Sequence, residues 1–298
     1  MPEAMTPPVF TITPAEALTP ARPPVTPLVF ASPHSGSVYP DDLGARAGLA
    51  ALSLRSAEDV MMDRMVAAGP ERGVPLIAAR LGRAYVDLNR DPAELDPRLI
   101  EGAAKGSGSP RVAAGFGVIP RLTGDGREIR DHPLGLDEAR DRVARVHRPY
   151  HEALAALMGR ARDRFGHALL IDWHSMPSRA VGDGRVGVRG VDVVLGDRHG
   201  AACAAEATRL LRGLFEQAGW RVGLNRPYAG GWSTQAWGRP QEGFHAVQVE
   251  VNRALYLDEA TLEPGPHHRA TRRILDRVIA ALAAHDWSGL RGPAEAAE

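Results

Sequence analysis

Residues 168 to 177 read Ala168-Leu-Leu-Ile-Asp-Trp-His-Ser-Met-Pro177: four apolar side chains that run into an acid, an aromatic and a histidine, then stop at a proline. A short apolar run ending at a breaker reads as a buried strand, and open α/β sheets place their ligand sites at the carboxyl ends of such strands. Side chains alternate along a strand, so Asp172 and His174 point to one side and Trp173 to the other. A second stretch, Pro27-Leu-Val-Phe-Ala-Ser-Pro-His34-Ser-Gly36, has the same form and ends in a histidine followed by a glycine turn. Two histidines at strand exits suggest a metal site whose remaining ligands lie elsewhere in the chain.

The chain has 298 residues, of which 44% are hydrophobic, enough for one large α/β domain or two small ones. Lys plus Arg number 36, as do Asp plus Glu, so the formal net charge is zero. That balance argues against nucleic acid or an anionic membrane as partner, since both select clustered positive charge. The single cysteine, Cys203, falls in an alanine-rich stretch read as helical. It cannot form an internal disulfide, and a reducing cytoplasm is its natural setting. The N-terminus is proline-rich and acidic rather than basic then apolar, and no window approaches the roughly 18 apolar residues of a membrane span. A soluble, cytoplasmic protein is expected.

Residues 1–26 read as an extended lead-in and 28–32 as the first strand. A helix is expected from Ser56, as N-cap, to Ala68, with Gly69-Pro70 as its stop. Residues 75–79 and 84–88 read as a strand pair. Residues 101–130 read as a long loop with one short strand near 115–119, and 136–165 as helical with a kink or break at Pro149. After a Gly- and Arg-rich loop at 178–190, strands are expected at 191–195, 220–224 and 246–251. Helices are expected at 200–218 and 269–284, with a frayed tail from 288 to 298. Strands and helices alternate without a shift in composition, which favours one α/β domain over residues 1–298.

A hydrolytic zinc site takes three ligands from His, Asp or Glu and leaves one position for water. His34, His174 and an acid among Glu58, Asp59 and Asp63 meet that count. Glu250 is either a carboxylate facing solvent from an edge strand or a buried general base. Arg83, Arg90 and Arg253, near strand ends, are of the type that forks onto a substrate carboxylate, and Gly230-Gly231 is either a tight turn or a close approach to ligand.

Taken in order, "SPHSG" at 32–36, "ED" at 58–59 with Asp63, "YVDLNRDP" at 85–92, "DWHSMPS" at 172–178 and "VQVEVNRALYLDE" at 247–259 resemble the N-formylglutamate amidohydrolases. With the Gly-Gly turn, the likeness spans about 27 to 259. It implies a three-layer α/β/α sandwich with a mixed central sheet, similar to zinc carboxypeptidases and aspartoacylases, and one Zn²⁺ per chain. It makes His34, Asp59 and His174 the metal ligands, with Glu58 and Asp63 as alternatives to Asp59, and Glu250 the general base. Asn89 and Arg90 resemble a pair that holds a substrate carboxylate in the wider group, and with Arg83, Gly230, Gly231 and Gln235 they make up the expected substrate-binding set. Ser37 stands where the carboxypeptidases carry a ligand Glu, so the carboxylate ligand is expected from the helix. After the Gly-Gly turn the family commonly reads Thr-Arg-His-Tyr-Gly, whereas this chain reads Thr234-Gln235-Ala236-Trp237-Gly238. A preference for a substrate other than plain N-formylglutamate is therefore expected, unless Arg130, Arg179 or Arg185 stands in for the missing arginine.

The implied reaction is metal-assisted hydrolysis of the N-acyl amide of a small-molecule amino acid. Two alternatives share the scaffold: a carboxypeptidase-like or other deacylase with a different acyl pocket, and a carboxylate-binding protein without catalysis.

Overall fold

The structure, a computed structural model, describes residues 8–104, 109–182 and 190–290. Residues 1–7 of the expected lead-in, Arg185 with the rest of 183–189, and 291–298 of the expected tail lie outside the described residues. The chain divides into two compact units: Met1–Thr11, Pro33–Glu58 and Ala78–Ala153 form the first, and Ile12–Ser32, Asp59–Ile77 and Leu154–Glu298 the second.

Seven strands make the main sheet: β1 Phe10–Thr13, β2 Leu28–Ser32, β3 Leu76–Ala79, β4 Ala168–Met176, β5 Val193–Gly196, β6 Val222–Leu224 and β7 Phe244–Asn252. Their order is β1-β3-β2-β4-β7-β5-β6. β4 runs parallel to β2 and to β7, β5 runs antiparallel to β7 and parallel to β6. The sheet is therefore mixed and flanked by helices, the α/β/α arrangement expected. All nine residues of β4 are buried, which is why its first half reads as an unbroken apolar run rather than an alternation. Trp173, fully buried on its far side, meets the Phe30 ring of β2 edge-on at 5.5 Å. β7 sits between β4 and β5, so the edge-strand reading of Glu250 is wrong: the residue is 6% exposed.

Leu136–Phe165 is one α-helix of 30 residues with Pro149 inside it, not two helices. Helices Ala205–Gln217 and His268–Ala284 bury residues at spacings of three and four, Leu211 and Phe215 in the former and Leu275, Val278, Ile279 and Leu282 in the latter.

Several expectations at the level of elements are corrected. The lead-in contributes the strand β1 and a 3-10 turn at Ala15–Leu18. The helix from Ser56 to Ala68 is instead three short helices, Ala51–Arg55, Met62–Met65 and Ala68–Glu71. Ser56 ends the first of them, and Met61, at φ 62°, breaks the winding. Gly69 lies inside the third, where a Cβ would collide with the Phe30 ring. Residues 84–88 are irregular chain and turn, not a strand, and 115–119 hold no strand. The helix expected from Gly200 starts at Ala205, so Cys203 lies in the preceding turn, 2% exposed, where burial pushes its thiol up to about 12. Ser288–Leu290 is a 3-10 turn with Leu290 buried, not frayed chain.

Candidate functional site

In the second unit, β4 and β7 pair so that Asp172 faces Gln248 and His174 faces Glu250. Residues two apart on a strand share a face, so all four side chains line one side of the sheet. His174 Nδ1 lies 2.9 Å from Asp59 Oδ2, and its Nε2 lies 3.0 Å from Asp172 Oδ2. Burial alone would lower the His174 pKa, but Asp172 and Asp59 reverse this and hold it well above the usual histidine value. A site whose field favours a proton that strongly favours a divalent cation for the same reason.

Asp59 is fixed from its other oxygen. Ser175 Oγ donates to Oδ1 at 3.0 Å, and the buried Arg253 reaches it through Nη2 at 3.2 Å. Arg253 also gives Nε to Ser175 Oγ at 3.1 Å, so its fork is directed at Asp59 and Ser175. On β7, Glu250 Oε1 accepts from Gln248 Nε2 at 2.7 Å, and Gln248 Oε1 accepts from the backbone N–H of Gly231 at 2.8 Å. Gly230 must be glycine: its φ is 118°, and a Cβ would strike the Thr234 hydroxyl.

In the first unit, the turn carrying His34 closes against residues 80–81. Ser37 and Val38 donate their N–H groups to the Arg80 carbonyl, and a Cβ on Gly36 would collide with the Leu81 carbonyl oxygen. His34 Nε2 lies 2.7 Å from Asp87 Oδ1. Arg83 Nη2 donates to Asp87 Oδ2 at 2.6 Å, the Asn89 N–H donates to Oδ1 at 2.9 Å, and Arg90 Nε stands 3.9 Å from Oδ2. Burial opposes the charge on Asp87, yet Arg83, His34 and Arg90 hold its carboxyl well below the usual carboxylate range. Asn89 is buried, and Arg90 donates to the carbonyls of Phe116 and Asn89, both at 3.0 Å.

Two histidines one turn apart on helix Leu136–Phe165 hold this segment from behind. His147 Nε2 donates to the Arg90 carbonyl at 2.9 Å and His151 Nε2 to that of Leu88 at 2.8 Å, their rings 4.2 Å apart. Burial lowers the His147 pKa.

Of the three acids considered as ligand, Glu58 is bound to Tyr39 Oη at 2.6 Å and to Arg55 Nε at 2.9 Å within the first unit. Asp63, in the first turn of helix Met62–Met65, is half-buried, and Asp59 is 1% exposed. His34, Asp59 and His174 are each buried and each offers an atom of the kind that binds a divalent metal. Gln235 is exposed on the short helix Trp232–Trp237, and Arg179 is exposed as well. Arg130 is buried, its guanidinium pushed down to about 10 by that burial and committed to the carbonyls of Leu43 and Pro120.

Sequence reasoning passed over Asp87, Gln248, Ser175, His147 and His151. The first two carried a signal: Asp87 lies in the quoted "YVDLNRDP", and Gln248 is two residues before Glu250 on the same strand face. The two helical histidines carried none, because nothing local says which carbonyl a surface-spaced histidine will meet.

Residues 26–257 match the sequence model of the family described as N-formylglutamate amidohydrolase. An N-formylglutamate deformylase of Pseudomonas aeruginosa is 31% identical over 267 residues, covering 87% of this chain and 93% of that protein. One of Pseudomonas putida is 29% identical over 276 residues, covering 89% and 94%. Among solved structures, the N-formylglutamate amidohydrolase from Ralstonia eutropha matches at a TM-score of 0.81 and 32% identity, covering 92% of this chain and 97% of its own.

Proposed function

The chain belongs to the N-formylglutamate amidohydrolase family and is a hydrolase acting on an amide bond, and on that premise we propose that it removes the formyl group from N-formylglutamate or a closely related N-acyl amino acid, using one zinc ion held by His34, Asp59 and His174. The observation that carries this reading is shared by the two histidines. Each places Nε2 on a buried aspartate, His34 on Asp87 at 2.7 Å and His174 on Asp172 at 3.0 Å. An ionised carboxylate only accepts, so at His34 Nε2 carries the proton and Nδ1 becomes the ligand nitrogen, the arrangement that carboxylates impose on metal-binding imidazoles; at His174 a carboxylate flanks each nitrogen, and Nδ1, beside Asp59, is the one a metal shared with Asp59 would take. His34, Asp59 and His174 are each buried, and two imidazoles with one carboxylate are a donor set that suits zinc.

Zinc held there supplies Lewis acidity toward a water and the acyl oxygen. The chain's own residues do the rest. Glu250 takes a proton from the attacking water and returns it to the nitrogen of the leaving amine. Arg83, Asn89 and Arg90 hold the amino-acid carboxylate, so that the amide carbon is presented to the water in one orientation. Arg253 and Ser175 keep Asp59 turned toward the ligand position. We read residues 1–298 as one catalytic domain, since the family match runs through segments of both units without interruption. No helix among the described residues is long and apolar enough to cross a membrane; with a single, buried cysteine, the cytoplasm suits the chain best.

The test is formate release from N-formyl-L-glutamate by the purified protein, with metal analysis alongside. Activity lost to a chelator and restored by zinc, at one zinc per chain, is expected. A metal-free protein with full activity would overturn the metal reading, and a zinc-loaded protein that cleaves only longer acyl groups would overturn the formyl substrate.

A further inference from the structure

The reading of Glu250 as the proton carrier raises a question that reading does not answer: what keeps its carboxylate in one orientation? Glutamate has three side-chain torsions, and a carboxylate on a sheet face can rotate between hydrogen-bonding partners. We propose that Gln248 is a positioning residue for Glu250, and that the Gly230-Gly231 turn serves this positioning rather than contact with substrate. The proposal rests on the role of Glu250 given above.

Hydrogen-bond polarity fixes how the Gln248 amide is turned. A primary amide has an accepting oxygen and a donating nitrogen that are otherwise interchangeable in shape. Here the Gly231 backbone N–H lies 2.8 Å from Gln248 Oε1. A backbone N–H can only donate, so the Gln248 oxygen must face Gly231. Its NH₂ group must then face the other way, where Glu250 Oε1 accepts it at 2.7 Å. The polarity of the relay is set by the backbone, not by chance rotation of an amide. All three members are buried, with Gln248 at 4% and Glu250 at 6% exposure, so bulk water does not compete well for either bond. β4 packs beside β7 in register with Asp172 opposite Gln248, which limits how far the amide can move.

The turn is built to deliver that N–H. Gly230 at φ 118° tolerates no side chain, because its Cβ position is filled by Thr234, and the Thr234 hydroxyl ties back to the Gly231 carbonyl at 2.8 Å. The Gly231 peptide is thus clamped through its carbonyl on one side and its N–H on the other. A group whose N–H is already given to Gln248 is not available to a substrate oxygen.

The experiment is a double-mutant cycle in the zinc-loaded protein on N-formyl-L-glutamate, with Gln248→Met, Gln248→Glu and Glu250→Gln. Gln248→Met is expected to lower kcat about 10-fold or more and to leave KM within about 2-fold and zinc content unchanged. Gln248→Glu keeps the shape and the bond from Gly231 but turns an acceptor onto Oε1; it is expected to cost at least as much, and it guards against a folding defect in the Met variant. On the Glu250→Gln background, Gln248→Met is expected to cost nothing further, since coupled residues are not additive. An unchanged kcat in both single variants overturns the proposal, as does an equal loss with and without Glu250, which would mark a merely structural residue. If Glu250→Gln alone keeps full activity, the base assignment itself falls and takes this proposal with it, an outcome distinct from the other two.

Discussion

The two histidine sites use one device in two settings. His174 stands on β4, in the middle of the sheet, and its aspartate is two residues away on the same strand face. His34 stands in a turn, and its aspartate lies 53 residues further on in a segment with no regular structure. The strand site is held by backbone ladders, with β7 along the whole of β4 and with β2 as far as Asp172. The turn site is held by hydrogen bonds that involve side chains: Arg83 and the Asn89 N–H on Asp87, and the two helical histidines on backbone carbonyls, together do what a sheet does elsewhere. Regular structure positions a ligand cheaply, whereas an irregular segment needs a charged, hydrogen-bonded knot to reach the same order.

The largest effect that could break this comparison is loss of the metal. His34→Ala and His174→Ala are both expected to abolish zinc retention, because two protein ligands hold the ion poorly against buffer. If purified His174→Ala still carries one zinc per chain by elemental analysis, the ligand set is wrong.

Next come the aspartates behind the histidines. Asp172→Asn and Asp87→Asn are each expected to weaken zinc binding by about 10- to 100-fold. Only Asp87→Asn should also lower the melting temperature markedly, since Asp87 additionally anchors Arg83 and Asn89. Equal melting temperatures for the two variants would contradict the contrast between a strand site and a knotted one.

A smaller effect concerns substrate choice. With Gln235 where the family commonly has arginine, the protein is expected to favour N-formyl derivatives of neutral amino acids over N-formyl-L-glutamate in kcat/KM, and Gln235→Arg to shift the ratio back. The exposure of Gln235 makes the shift modest, because a solvated arginine contributes little to binding a carboxylate. A ten-fold preference for the glutamate compound in the unaltered protein argues against it.

The smallest is the dependence on pH that His147 adds at the turn site. His147 is buried and its pKa is lowered; facing it are the Arg90 carbonyl, the carboxylates of Asp87 and Asp91, and the ring of His151. Above about 6.5 the imidazole is neutral in both folded and unfolded chains and contributes no pH dependence. Below that value the unfolded chain binds the proton more readily, so stability falls as the pH drops. Denaturant midpoints measured from pH 8 to 5 should fall relative to those of His147→Gln, and the gap should open below about 6.5.

The same contrast explains what was legible in the sequence. Strands β2, β4 and β7 announced themselves by apolar runs that end in polar residues, and with them came His174, Glu250 and the first histidine, His34. The parts written in irregular chain were misread. The helix expected from Ser56 is broken by the left-handed Met61. Residues 84–88 looked like a strand because Ala-Tyr-Val-Asp-Leu is a short, mostly apolar run, yet they form none, and Asp87 meets His34 from irregular chain. Hydrophobic pattern reports which face is buried; it does not report a fold held by side-chain hydrogen bonds over a separation of dozens of residues. Glu250 was half misjudged for a related reason, since a strand's place in the sheet depends on partners far away in sequence.

Cys203, the one cysteine of the chain, sits in a turn at 2% exposure with its thiol pushed up to about 12. Neither access nor ionisation favours its reaction in the folded protein. It is therefore a native clock: a thiol-specific dye will label this chain only as often as the region around Cys203 opens. The labelling rate, compared with and without zinc, reads out how far metal binding suppresses that opening, with no label engineered into the molecule.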